Sequence, residues 1–240
     1  MTKSDFLNLL LDLNKKGTIA VSVGETQYLI EAAEEFENLG FALIWVELNK
    51  DGTIKEESLK PCDYIFISSY IMDTFLKVDL EYIKNITNAS IISNGTFDSN
   101  SISEIVYKTD KEIENKTFYS EKKEYFINCL KNELKDDIYF FVDNSETLAF
   151  FVHFALKNIK AREIMNTLKF EDIDVINGER CQLGLFRPSR IIEAMGFDEE
   201  ICRNALIFCF DKNYTNEEIE KIAKKIAKKH RQIKVLNQGN

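Results

Sequence analysis

Thr18-Ile19-Ala20-Val21-Ser22-Val23 and Phe41-Ala42-Leu43-Ile44-Trp45-Val46 flank Glu25-Thr26-Gln27-Tyr28-Leu29-Ile30-Glu31-Ala32-Ala33-Glu34-Glu35-Phe36-Glu37-Asn38-Leu39-Gly40, and the reading of these three segments decides the fold. The outer two are short, unbroken apolar runs, the pattern of buried strands. The middle one sets Tyr28, Leu29, Ala32, Ala33 and Phe36 at helical spacing, with Gly40 just past the end, where a left-handed residue can close a helix. The order is β-α-β.

The same alternation continues on both sides. Upstream, Ser4 reads as an N-cap for a helix carrying Phe6, Leu7, Leu9, Leu10, Leu11 and Leu13, closed by Gly17. Downstream, residues 62–68 and 89–93 are two more continuous apolar strands, separated by a helical stretch at about 79–86. Unbroken runs of this kind belong to parallel strands covered on both faces, so the first half is an α/β layer. Residues 110–123 are then polar and dense in charge (Lys111, Glu112, Glu114, Lys116, Glu121, Lys122, Lys123), as a linker is, and the boundary falls between residues 118 and 119. Beyond it come a helix at 121–134, strands at 138–142 and 148–154, a helix at 161–168, a strand at 173–176, a helix from Pro188 to before Gly196, a strand at 204–210 and a last helix from Thr215. The second half therefore reads as an α/β sandwich with mixed strands.

Composition limits the functions available. The chain has 240 residues, 45% of them hydrophobic and 30% charged, with no apolar run near the length of a membrane span, so a soluble globular protein is expected. Its 31 basic and 40 acidic residues leave a net charge of −9, which argues against a nucleic-acid or membrane-surface partner. The apolar stretch of residues 6–13 is too short and wrongly flanked for a secretory signal, and a cytoplasmic location follows as the expectation. Cys62, Cys129, Cys181, Cys202 and Cys209 make an odd number with no CxxC pair, and there are only two histidines, so neither a disulfide framework nor a metal site is expected.

One string carries chemistry: Gly178-Glu179-Arg180-Cys181-Gln182-Leu183-Gly184-Leu185-Phe186-Arg187-Pro188-Ser189. With Ile191-Ile192-Glu193-Ala194-Met195-Gly196, Cys202-Arg203-Asn204-Ala205-Leu206-Ile207-Phe208 and Thr215-Asn216-Glu217-Glu218-Ile219 after it, it resembles the small domain of the cysteine desulfurases. These are class V aminotransferases of the fold-type I pyridoxal-phosphate group. In that family a Gly-rich loop bears the sulfur-accepting cysteine and a Pro-Ser pair seven residues on opens the next helix, a spacing that Cys181 and Pro188 reproduce. More faintly, Val23-Gly24-Glu25-Thr26 and Gly40-Phe41 resemble part of the family's large domain. The resemblance implies a reduced, mostly parallel large domain over residues 1–118 and a small α/β domain over 119–240, in a chain shorter than a complete desulfurase. It also implies a dimer, since the family is dimeric.

The departures from the family matter as much. The ring-stacking histidine falls on Thr26, the Asn-Asn-Glu-Ile-Gly string on Ile71-Met72-Asp73-Thr74-Phe75, and the substrate-carboxylate arginine on Ile207. The aspartate that pairs with the pyridinium nitrogen falls near Gly95-Thr96, with Asp98 close by. The Schiff-base lysine corresponds to Lys111, which sits in polar company that would not desolvate its amine. Cys181 is the leading nucleophile. Arg180 and Arg187 are the candidate substrate-binding residues, and together with the helix from Pro188 they favour a thiolate at Cys181. Cys62, Cys202 and Cys209 read as small core residues, His153 as a half-exposed strand residue, and His230 as part of a solvated basic helix face with Lys224, Lys225, Lys228, Lys229 and Arg231. Gly24 and Gly95 follow strands, but neither has a phosphate-loop string around it.

The sequence is thus read as a degenerate desulfurase-like protein that uses no cofactor by itself. It would act in sulfur transfer, or as a scaffold, through Cys181, with a full-length desulfurase or a sulfur acceptor as its protein partner. The alternative is a minimal pyridoxal-phosphate desulfurase in which Lys111 forms the imine and Cys181 takes the sulfur. A third reading leaves Cys181 inert in a purely structural protein.

Overall fold

The computed structural model describes residues 1–93, 116–178 and 188–238. They form two compact units: described residues of Met1–Met72 and Leu76–Ile113 in the first, and of Asp73–Phe75 and Glu114–Asn240 in the second.

In the first unit α1 (Lys3–Asn14) is capped by Thr2, not Ser4. Thr2 Oγ1 accepts from Asp5 N at 3.3 Å while Asp5 Oδ2 accepts from Thr2 N at 2.7 Å. This reciprocal pair satisfies two helix-end donors where Ser4 could satisfy one. Gly17 is not left-handed either; Asp63 reaches across it to accept from Thr18 N at 2.7 Å. Next come β1 (Ile19–Ser22), α2 (Gln27–Asn38), β2 (Ile44–Val46), β3 (Tyr64–Phe66), α3 (Leu80–Thr87) and β4 (Ser90–Ile92). The four strands make one parallel sheet in the order β2-β1-β3-β4. Because side chains alternate along a strand, Ile19, Val21 and Phe66 face one core with Phe6, Leu10, Leu29, Ala33 and Phe36. Ala20, Ile65 and Ile67 face the other, with Val46 and Ile83. Burial on both faces is what the unbroken apolar runs encode, although each strand is shorter than its run.

In the second unit α4 (Lys116–Leu134) starts five residues before the expected helix, inside what reads as a linker. Its charges are not all solvated: Lys123 is buried and donates to Thr147 Oγ1 and, at 3.2 Å, to the Leu148 carbonyl. The sheet comprises β5 (Ile138–Tyr139), β6 (Phe151–Leu156), β7 (Val175–Ile176) and β8 (Ala205–Cys209), in the order β5-β6-β8-β7. Among the described residues every pairing in this sheet is antiparallel rather than mixed. After β6, α5 (Ala161–Lys169) carries the chain to β7, and β8 then inserts between the two with opposite sense, a split β-α-β arrangement. Short helices α6 (Arg190–Ala194) and α7 (Glu199–Cys202) precede β8, and α8 (Asn216–Gln238) packs on α4 and α5.

Both histidines are buried, contrary to the sequence reading. His153 lies in β6 at 2% exposure and stacks on Phe141 with ring centroids 4.9 Å apart. His230 continues the α8 stripe of Ile219, Ala223, Ile226 and Ala227 and is fully covered, because it falls on the helix's apolar face and not on its lysine-rich one. Lys225 and Lys229 both pair with Glu171 at 3.0 Å, Lys224 pairs with Glu220 and Lys234 with Asp137, so much of that basic face is matched by acids of the same unit.

Candidate functional site

In the first unit, β1 sits between β2 and β3, so the carboxyl ends of β1 and β3 form the point where the strand order switches, the usual ligand position in an open parallel sheet. Here that point is packed by the chain itself. Met72 N donates to the Gly24 carbonyl at 2.9 Å, and Ile71 lies directly against Gly24. Thr26 is the N-cap residue of α2, yet its buried Oγ1 neither caps the helix nor meets any hydrogen-bond partner.

The second unit takes three residues from the first half of the chain. Segment Tyr70-Ile71-Met72-Asp73-Thr74-Phe75-Leu76 is buried throughout and doubles back on itself, Ile71 N donating to the Leu76 carbonyl at 2.8 Å. The turn puts two residues with side chains in the left-handed region, Asp73 at φ 60° and Phe75 at φ 55°. Each costs about 1–2 kcal/mol, and for a bulky residue such as Phe75 the conformation is a true outlier. It persists because Phe75 is fixed twice: its ring stacks on Phe151 at 3.8 Å between centroids, and its carbonyl accepts from Leu148 N at 2.9 Å.

Asp73, so held, meets both flanks of the segment that carries Cys181. On one side Ser189 Oγ donates to Asp73 Oδ2 at 2.6 Å, with both residues buried. The same Oγ accepts from Ile192 N at 3.3 Å and caps α6. On the other side Gly178, at φ 93°, lies so close that an added Cβ would stand 2.6 Å from Asp73 Oδ2. Only glycine fits there, for the conformation and for the space.

Cys181, Lys111, Arg180 and Arg187 all lie outside the described residues, as do Gly95 and Asp98. The helix expected from Pro188 is α6, which runs from Arg190 to Ala194 with Ser189 as its cap. Of the remaining cysteines, Cys62 and Cys202 are buried and Cys129 and Cys209 half-buried. Burial pushes Cys202 up to about 11 and Cys209 up to about 12, with nearby acids adding to the shift, and burial raises Cys62 and Cys129 too. Among the described residues no cluster of three His, Cys, Asp or Glu could hold a metal, and no helix is long and apolar enough to cross a membrane.

Comparison with known proteins rests on shape. No sequence-family model and no curated protein sequence matches the chain. A solved NifS-like protein superposes with a TM-score of 0.70 at 13% identity, over 95% of this chain and 80% of that one. A NifS-like protein from Rickettsia africae gives a TM-score of 0.71, also at 13% identity, over 96% and 80% of the two chains. SspA, solved in complex with cysteine, gives 0.59 at 12% identity, over 87% and 79%. The chain has the NifS-like fold.

The family resemblance assigns a ring-stacking contact to Thr26 and a substrate-carboxylate contact to Ile207, both of which lie among the described residues of this NifS-like fold. A hydroxyl at Thr26 has no π face for a pyridine ring. Ile207 is 1% exposed in the middle of β8, paired with His153, and has no donor for a carboxylate. Sequence reasoning reached Asp73 only as a replacement in a lost string and Ser189 only as a helix opener. Their pairing spans 116 residues, and no local pattern announces it.

Proposed function

We propose that the protein acts in sulfur transfer without running the pyridoxal-phosphate step itself, with Cys181 as the sulfur carrier. What supports this reading is Ile207, a buried alkyl side chain at the position that the sequence resemblance gives to the arginine binding the substrate carboxylate. The sulfur would come from a protein persulfide, the product of a full-length desulfurase, or pass on to a protein acceptor. The Cys181 thiolate attacks the outer sulfur of the donor persulfide. A bond forms from Sγ to that sulfur, the donor S–S bond breaks, the donor leaves as a thiolate, and the proton on the transferred sulfur stays with it. Arg180, adjacent to Cys181 in sequence, and Arg187, six residues on, are the basic residues that would favour the thiolate.

The test has two steps. Purified protein is titrated with pyridoxal phosphate, reduced with borohydride and mapped by peptide mass; no lysine should be trapped stoichiometrically. The protein is then incubated with a persulfidated desulfurase, and the Cys181 peptide should gain the mass of one sulfur atom, a gain abolished in Cys181→Ser. Stoichiometric trapping at Lys111, with a spectrum perturbed by cysteine, would instead establish the minimal desulfurase. No sulfur on Cys181 from any persulfide donor would leave the fold without this role.

A further inference from the structure

We propose that a cavity in the second unit binds a small zwitterion, a free α-amino acid, with Lys160 taking its carboxylate, Glu200 its ammonium, and the buried Asn204 amide completing the site. The site is independent of Cys181 and of the sulfur-transfer reading. The cavity has a volume of about 270 Å³, just below the roughly 300–1,000 Å³ of sites for drug-sized ligands, so its occupant is small. It lies where three parts of the unit meet. The connection from β6 to α5 supplies Asn158 and Lys160, α7 and its C-cap supply Glu200 and Arg203, and the end of α8 supplies Asn237. Two contacts tie these parts together: Ala161 N donates to the Arg203 carbonyl at 2.8 Å, and Asn237 Nδ2 donates to Glu163 Oε2 at 3.3 Å.

Asn204 is the residue that points to a ligand. It is 6% exposed, just before β8, and its backbone N–H donates to the Ile201 carbonyl at 3.0 Å. Its carboxamide makes no hydrogen bond among the described residues, and Asn204 lines the cavity. A buried amide with donor and acceptor both unused destabilises a fold unless something enters to bond it. The charges around the cavity select what enters. Among the described residues neither Lys160 nor Glu200 has an ion-pair partner, whereas Lys225 and Lys229 of the same unit are both matched by Glu171. Arg203 is already engaged, its Nε donating to Glu199 Oε1 at 3.1 Å. A phosphate dianion would meet the carboxylates of Glu163 and Glu200, and a metal ion would meet the cations of Lys160 and Arg203. A zwitterion meets both signs at once: its carboxylate accepts from Lys160 and its ammonium donates to Glu200. The Asn204 amide, donor and acceptor together, bonds either end.

The full chain, with no persulfide donor present, is titrated calorimetrically with each common L-α-amino acid in turn. At least one should bind saturably. Its N-acetyl derivative, which lacks the ammonium, and its primary amide, which lacks the carboxylate, should each bind about tenfold more weakly or worse, the factor for one lost charge-assisted hydrogen bond. Lys160→Met and Glu200→Gln, both at exposed positions, should weaken binding by a similar factor. Asn204→Leu, close to asparagine in size, should weaken it as well; if that variant does not fold, the two exposed variants decide. With the amino acid bound, hydrogen exchange should show added protection at residues 159–163 and 200–204. Water alone in the cavity would leave every amino acid unbound, and that result overturns the site. Equal binding of the N-acetyl derivative or of inorganic phosphate overturns it too, by making it a site for anions. Affinity unchanged in both Lys160→Met and Glu200→Gln places the binding elsewhere and ends the proposal. The titration reads no sulfur transfer, so the role of Cys181 stands or falls separately.

Discussion

At the scale of single residues, His153 shows what burial does to a titratable group. It sits in β6, one of the two inner strands of the second unit's sheet, with Nδ1 unsatisfied, and desolvation pushes it from its ordinary 6.5 down to about 3. The folded protein therefore keeps it neutral over a range in which the unfolded chain binds a proton. The stability this contributes is complete above pH 6.5 and drains away as the pH falls toward 3, at about 1.4 kcal/mol per pH unit. His230 works in the same direction, since burial lowers it while the Lys157 carbonyl and Asp137 only partly offset the shift. His153→Phe, which keeps a ring on Phe141 and removes the proton site, should lose about 2 kcal/mol less than wild type between pH 7 and pH 5 in urea denaturation. Equal losses in the two proteins would mean that His153 is not the buried base described. The sequence could not foretell its burial, because alternation along a strand tells which residues share a face and not whether both faces are covered.

At the scale of elements, α8 was half legible. Its start at Thr215 is marked by a capping box, Glu218 Oε2 accepting from Thr215 N at 2.7 Å and Thr215 Oγ1 accepting from Glu218 N at 3.2 Å. The apolar stripe through Ile219, Ile222 and Ile226 was also plain. What covers the lysines was hidden: Glu171, pulled down to about 2 by Lys229 and Lys225, lies more than fifty residues upstream, beyond any i,i+4 rule. A run of lysines thus read as a free surface when part of it is a lattice of internal pairs. The stripe and not the pairs should dominate stability, since Ile226 is wholly buried where α8 packs on α4 and α5. Ile226→Ala should cost about 2–5 kcal/mol in chemical denaturation. A cost below 1 kcal/mol would show that the helix can be remodelled without its central contact.

At the scale of the whole molecule, the layer architecture came through in the sequence, and the exchange of a few residues between units did not. Unbroken apolar runs encode a parallel sheet covered on both faces, and the split β-α-β of the second unit follows once β8 is allowed between β6 and β7. Asp73–Phe75 defeats this kind of reading, because three residues in the middle of the first half belong physically to the second unit. The contacts that place them there join residues 76 and 116 positions apart, Phe75 with Phe151 and Asp73 with Ser189. Sequence reading likewise found the cysteine string but could not see the carboxylate that meets its ends. A substitution at Phe75 should therefore act on the unit it packs in, not on the one that surrounds it in sequence. Phe75→Ala removes a fully buried ring and should cost about 3–5 kcal/mol. Hydrogen exchange read by mass spectrometry should locate that loss in β6 and β8, while amides of β1 and β3 keep their protection. If β1 and β3 lost protection and β6 and β8 kept theirs, the ring would be holding the first unit and residues 73–75 would belong with it. If all four strands lost protection equally, the two units would unfold as one, and residue 75 would report on the whole chain rather than on either part.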